Sequence, residues 1–150
     1  MSTHLNRPYV NRFKLHLRPN LSSTAFVSEK IPALPVGKSA VDVFADFLHY
    51  LHKCARKYIE ETHINGINLW YSLEAHTEFV LSHPNGWDGG QQASMRIAAI
   101  RAGLIPDTDK GRSRLSFVTE GEASLNYCIQ NGLDTKAIQV CRVTCCQFHL

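Results

Sequence analysis

The sequence predicts an α/β fold: short, mostly parallel strands with flanking helices. Three observations predict it. The block Phe79–Leu125 runs from an apolar stretch stopped by Pro84, through a glycine-bearing turn and a helical stretch ending at Gly103, to a second apolar stretch at Arg114–Thr119. Strands separated by helices imply parallel pairing through a βαβ crossover. Upstream, one long segment repeats its apolar residues at helical spacing. A length of 150 residues suits a single domain, large enough to bury most of its apolar side chains.

Taken in order, residues 1–37 read as irregular. Pro8, Pro19, Pro32 and Pro35 interrupt any long helix, since proline has no amide donor and clashes with the preceding turn. Arg12–Arg18 alternates apolar and basic residues, which predicts a short strand. The body of the fold is expected over 38–132. Ser39 with Asp42 three residues on resembles a capping arrangement. Val41, Phe44, Ala45, Leu48, Leu51, Ala55, Tyr58 and Ile59 then fall mostly three and four apart, predicting a helix over 40–61 with one core-facing side. Asn65-Gly66 is a turn, and Leu69-Trp70-Tyr71 with Leu73 a short turn or helical segment.

Thr77–His83 is the first strand of the opening block. Asp88–Ala102 is a helix whose Met95, Ala98, Ala99 and Ala102 form a small-residue face suited to a sheet, with Gly103 as its stop. Residues 106–111 read as a loop, Arg114–Thr119 as the second strand, and Gly121–Gln130 as a helix ending at Asn131-Gly132. Residues 133–150 form an atypical tail with β-leaning residues around Ile138–Thr144.

Composition bounds the function. Hydrophobic content of 44% and charged content of 19% fit a globular protein. A net charge of +3, from 16 basic and 13 acidic residues, is mild, and the basic residues are scattered, with local clusters at Arg12–Arg18 and Lys53–Lys57. No basic stripe interleaved with aromatics predicts a nucleic-acid partner, and no apolar run approaches a membrane span. The N-terminus lacks a signal peptide's apolar core, so a cytoplasmic location is expected. Five cysteines (Cys54, Cys128, Cys141, Cys145 and Cys146) form no paired disulfide framework.

Several residues could carry chemistry. Glu120 and Glu122 read either as catalytic carboxylates or as first-turn acids favoured by the helix dipole. Asp88-Gly-Gly-Gln-Gln reads as a helix start with Asp88 as cap, rather than an anion site. Cys141, Cys145, Cys146 and His149 are ligand types for zinc. Their spacing lacks the separated C-x2-C pairs of structural sites, so incidental thiols are the simpler reading and no metal site is assigned. His63, His76 and His83 have no nucleophile at a telling spacing. Trp70 and Trp87 read as packing residues.

The strand–helix–strand block resembles the first lobe of the actin-like ATPase (ribonuclease H-like) fold used by 70-kDa heat-shock chaperones. It is closest to their divergent, fungal-type branch, which lacks the usual substrate-binding domain. Val80-Leu81-Ser82-His83-Pro84 stands for the family strand ending in V-P-A. Ala98–Leu104 supplies the helix end closing in A-G-L, and Phe117-Val-Thr-Glu-Gly-Glu-Ala123 stands for the N-E-P-T-A-A-like segment. Val41–Leu51 is similar to the preceding helix. The resemblance spans roughly 13–133, and makes 38–132 a partial lobe.

That resemblance implies ATP and Mg2+ as cofactors and ATP-dependent conformational switching as the parent function. It implies that Glu120 lies near hydrated magnesium and helps position the attacking water. It implies that Thr119 and Glu120 face the nucleotide, and that Pro84 relays nucleotide state between lobes. The departures are specific. Gln92 stands where the chaperones carry an arginine that works with that proline. Neither phosphate hairpin, D-x-G-T-like or D-x-G-G-G-T-like, occurs in the sequence, although their backbone amides cradle the phosphates. The chain is therefore expected to be a truncated or mis-spliced piece of a larger ATP-binding protein, not competent for hydrolysis alone. The alternatives are a non-enzymatic interaction module that docks a protein partner through the exposed lobe face, and a metal-binding tail.

Overall fold

The computed structural model describes residue 10 and residues 12–18, 31–87 and 89–131. It is mixed α/β, about 60% helical, with a two-stranded parallel sheet. A 3-10 turn at Phe13–Leu17 is followed by helices α1 (Ala40–Thr62) and α2 (Gly66–Glu74) and strand β1 (Phe79–His83). Helices α3 (Gly89–Arg101) and α4 (Asp109–Arg112), strand β2 (Leu115–Thr119) and helix α5 (Glu120–Gln130) complete the order. The described residues divide into two compact units. One takes in the chain up to Phe79 together with Trp87–Ser116; the other takes in Val80–Gly86 and the chain from Phe117.

The first unit is organised by α1. Its start is fixed by a full capping box: the Ser39 hydroxyl accepts from the Asp42 amide, and the Asp42 carboxylate accepts from the Ser39 amide. Two orphan helical donors are thereby satisfied. Asp42 also accepts from Arg101 of α3 at 2.5 Å. The bonds from Ser39, and then the Arg101 charge, hold the Asp42 carboxyl below its ordinary range.

Helix α1 packs on α3, on α2 and on the 3-10 turn. Ala40, Val43, Phe44, Ala45 and Leu48 of α1 are buried, as are Met95, Ala98, Ala99 and Ala102. The small-residue face predicted for 88–102 is thus buried, and α1 is a principal packing partner of that helix. Leu104, Ile105 and Leu115 complete this core, with Trp70 and Trp87 as its largest members. Both tryptophans are packing residues, as their sequence context predicts.

Three expectations need correction. Arg12–Arg18 is not a strand: Phe13–Leu17 winds into a 3-10 turn, opened by an Arg12 in left-handed backbone (φ 53°). The reason is tertiary. Phe13, half-buried, sets its ring 5.5 Å from Phe44 and 5.7 Å from Phe47, and that ring packing outweighs a weak alternation. Second, the apolar face of α1 does not continue as core beyond Leu48. Leu51, Ala55 and Tyr58 are exposed, and α1 meets α2 through His52 and Arg56, which contact Trp70. Third, the expected loop at 106–111 contains α4. The Thr108 hydroxyl caps it by accepting from the Gly111 amide at 3.0 Å.

The remaining elements fall within a residue or two of where the sequence puts them, except that α2 starts at Gly66, three residues before Leu69. Gly103 ends the turn after α3 with φ 77°, a left-handed conformation that glycine adopts without strain. Among the described residues no helix is long and apolar enough to cross a membrane.

Candidate functional site

Parallel pairing carries the C-terminal ends of β1 and β2 to the same edge of the sheet, the edge where open α/β sheets hold ligands. Two turns meet there within the second unit. One is Pro84-Asn85-Gly86, with Gly86 in left-handed backbone (φ 80°). The other is Thr119-Glu120-Gly121, the start of α5. A methyl group added at Gly121 would lie 3.8 Å from Asn85 Oδ1 and 3.9 Å from Thr119 Oγ1. The two turns are therefore in van der Waals reach of each other.

Thr119 and Glu122 build the second capping box of the molecule. The Glu122 carboxylate accepts from the Thr119 amide at 2.7 Å and from its hydroxyl at 2.9 Å, while that hydroxyl accepts from the Glu122 amide at 3.1 Å. The bonds from Thr119, backbone first, hold the Glu122 carboxyl below its ordinary range, and the nearby His83 adds a smaller effect in the same direction. Glu122 is thus spent on the helix start. Glu120, the first residue of α5, is exposed at the strand end.

His83, the last residue of β1, is buried. Its Nδ1–H donates to the Pro84 carbonyl at 2.9 Å, and its ring lies 6.3 Å from Phe117. That bond fixes the tautomer with Nδ1 protonated. Pro84 itself is half-buried at the turn. The structure brings Pro84, Thr119 and Glu120 to one sheet edge.

Other candidates lie elsewhere. His63 follows α1 and His76 follows α2, both exposed. Gly89 and Gly90 open α3, a plain helix start; Asp88 lies outside the described residues, as do Cys141, Cys145, Cys146 and His149. Gln92 lies on the second turn of α3. Among the described residues no group of three His, Cys, Asp or Glu could hold a metal ion.

Of one group of residues the sequence reading saw only the local basic cluster Lys53–Lys57. His49, His52, Lys53, Arg56, Lys57 and Glu60 line a cavity of about 780 Å³ in the first unit, with Glu74, Ala102 and Gly103 across from them. Their numbers advance by three or one, a polar helical stripe beside the apolar one, and that spacing was the available signal.

The capping box predicts a measurable result. Removing a threonine cap costs about 0.5–2 kcal/mol, so Thr119→Ala should lower the urea midpoint, while Thr119→Ser should restore most of it. The Glu122 carboxyl is depressed in the folded state, so its stabilisation is complete above about pH 4.5 and is lost as pH falls through the lower folded value. Glu122→Gln, which removes the titrating group, should flatten the fall in urea midpoint between about pH 6 and pH 3, and Thr119→Ala, which keeps the amide bond, should flatten it only in part; a Glu122→Gln profile parallel to that of the parent chain would contradict the assignment.

Comparison with protein-family models, curated proteins and solved structures finds no match to this chain.

Proposed function

We propose that this chain carries part of an actin-like ATP-binding lobe, of the kind used by divergent 70-kDa heat-shock proteins, and that its parent activity is ATP-dependent conformational switching. The observation supporting this reading is the meeting of the Pro84 and Thr119–Glu120 turns at the C-terminal edge of a parallel strand pair. In that lobe, Glu120 would stand near hydrated magnesium and Pro84 would respond to nucleotide state.

The residues present fit one portion of such a site. An exposed carboxylate at a strand end suits a magnesium ion that keeps its waters. The Thr119 hydroxyl already donates to Glu122 and accepts from its amide, so it can offer a ligand one remaining lone pair. A phosphate cradle needs converging backbone amides, and the sequence contains neither glycine hairpin that would supply them. Magnesium, where bound, would neutralise phosphate charge. The chain's own contribution is to orient one carboxylate beside it. Binding should accordingly be weak, and hydrolysis absent.

Amide NMR during titration with Mg-ATP tests this. Shifts should be confined to 83–86 and 118–122, appear only at about millimolar nucleotide, and shrink in Glu120→Gln. Micromolar affinity with turnover would overturn the view that the site is incomplete. Shifts confined to residues 49–57 would overturn its location. Val80, Tyr127 and Ile129, exposed in the second unit, favour a second reading as a non-enzymatic interaction module. Silence towards Mg-ATP, together with concentration-dependent line broadening at those residues, would select it.

A further inference from the structure

We infer that the outer face of α1 is where two copies of this chain pair, with the two helices antiparallel. Phe47, Tyr50, Leu51 and Tyr58 are 43% to 65% exposed, and Cys54 and Ala55 are exposed among them. At about 3.6 residues per turn these six lie on one side of the helix. The 3-10 turn covers the start of that side, where Phe13 meets Phe44 and Phe47. Farther along, the side is bare among the described residues. Helix α1 belongs wholly to the first unit, so this inference stands apart from the reading of the strand ends.

The spacing is that of a seam between helices. Phe47, Leu51, Cys54 and Tyr58 advance by four, three and four, which keeps them in one line along a partner helix. The seam also reads alike in both directions, with aromatic rings at its ends and smaller side chains between. Reversed about its midpoint, between His52 and Lys53, it sets Phe47 opposite the partner's Tyr58 and Leu51 opposite the partner's Cys54. Each layer is then apolar on both sides. The four large side chains leave roughly 400 Å² of each copy exposed, about half of what one partner gives to a standard interface. The pair is therefore a weak one, forming at about tens to hundreds of micromolar protein.

The charges select a second copy over an unrelated helix. Asp46 and Lys57 lie on the same flank of the seam, one near each end. Asp46 is paired with Lys38, and Lys57 lies 3.7 Å from Glu61. All four side chains are exposed. One end thus holds an ion pair with its carboxylate on the helix flank, and the other an ion pair with its ammonium there. A two-fold axis across the seam brings like flank to like flank with the ends exchanged. The partner's Lys57 then stands beside Asp46, and the partner's Glu61 beside Lys38, so the signs alternate at both ends. Parallel pairing would lay the same flank against the partner's Ala55 and Thr62, and would leave the charges unmatched.

Sedimentation velocity at low salt, from about 5 to 500 µM protein, tests the inference. The unmodified chain should pass from monomer to dimer mass and stop there, because an isologous contact closes on itself. Leu51→Glu places a carboxylate in the middle of the seam on each copy and should weaken the dimer about tenfold or more. Leu51 is exposed, so the far-ultraviolet circular dichroism of that variant should match the unmodified chain. Asp46→Lys should weaken the dimer about threefold or more, and adding Lys57→Glu to it should restore the affinity. Tyr127→Glu, in the second unit, should leave the dimer within about twofold. A chain that stays monomeric throughout, or a mass that rises beyond the dimer, would overturn the inference. So would a dimer that survives Leu51→Glu, one lost in Tyr127→Glu, or a charge swap that restores nothing.

Discussion

Phe44→Ala should lower the free energy of unfolding by about 3–5 kcal/mol, the largest single loss expected here. Phe44 is 2% exposed and joins the start of α1 to the rest of the first unit. Its ring faces Phe13 at 5.5 Å, and the Lys14 ammonium lies 5.8 Å above it. Truncation removes the transfer energy of the ring and leaves a cavity that a close-packed core fills only in part. Total stabilities of about 5–15 kcal/mol make this about a fifth of the whole or more. Urea titration followed by far-ultraviolet circular dichroism gives the value. Phe47→Ala is the control, because Phe47 is 43% exposed and should cost far less. A double-mutant cycle with Phe13→Ala should return about 0.5–1.5 kcal/mol for the ring pair. Equal losses at Phe44 and Phe47 would show that the core is not where the structure puts it.

The contrast between Phe13 and Phe44 also shows what the sequence could reveal. Phe44 was legible because it belongs to a helical period. Phe13 was misread because a five-residue alternation is a weak signal, and its conformation is decided by a ring 31 positions away. The capping pair Ser39–Asp42 was legible, since a cap is a local bond between residues three apart, whereas at Thr119–Glu122 the sequence reading saw first-turn acids and not the threonine cap. The strand ends were legible because the signals are local: Pro84 stops one run, and the polar Thr119-Glu120-Gly121 segment stops the other. The exposed second half of the α1 apolar stripe was not. Leu51 and Tyr58 have the right spacing, but α2 is short and engages α1 through His52 and Arg56 instead. No local rule says where a covering helix stops. The cavity shares that cause, because Glu74 and Gly103 come to it only through tertiary packing.

Gly66→Ala should destabilise the fold by about 1–3 kcal/mol or more, although alanine is the better helix former. A methyl group there would lie 2.3 Å from the Ile59 carbonyl oxygen and 2.7 Å from that of Glu60. Those atoms are backbone, and the Ile59 carbonyl also accepts from the His63 amide, so neither can swing aside as a side chain would. Relief requires α2 to move away from the last turn of α1. The turn itself is tightly specified: Asn65 holds left-handed backbone at φ 61°, and its side chain accepts from Asn68 at 2.6 Å. Moving α2 draws Trp70, 4% exposed, away from the His52 ring and from Arg56 above it. The expected signature is a lower thermal midpoint together with a red-shifted, more quenchable tryptophan emission. Gly89→Ala separates this from any general effect of glycine replacement. A methyl group at Gly89, in the first turn of α3, meets nothing within 4 Å, so that change should be neutral or stabilising by up to about 1 kcal/mol. If the two variants unfold alike, the close approach of α2 to α1 is not what holds Trp70 in the core.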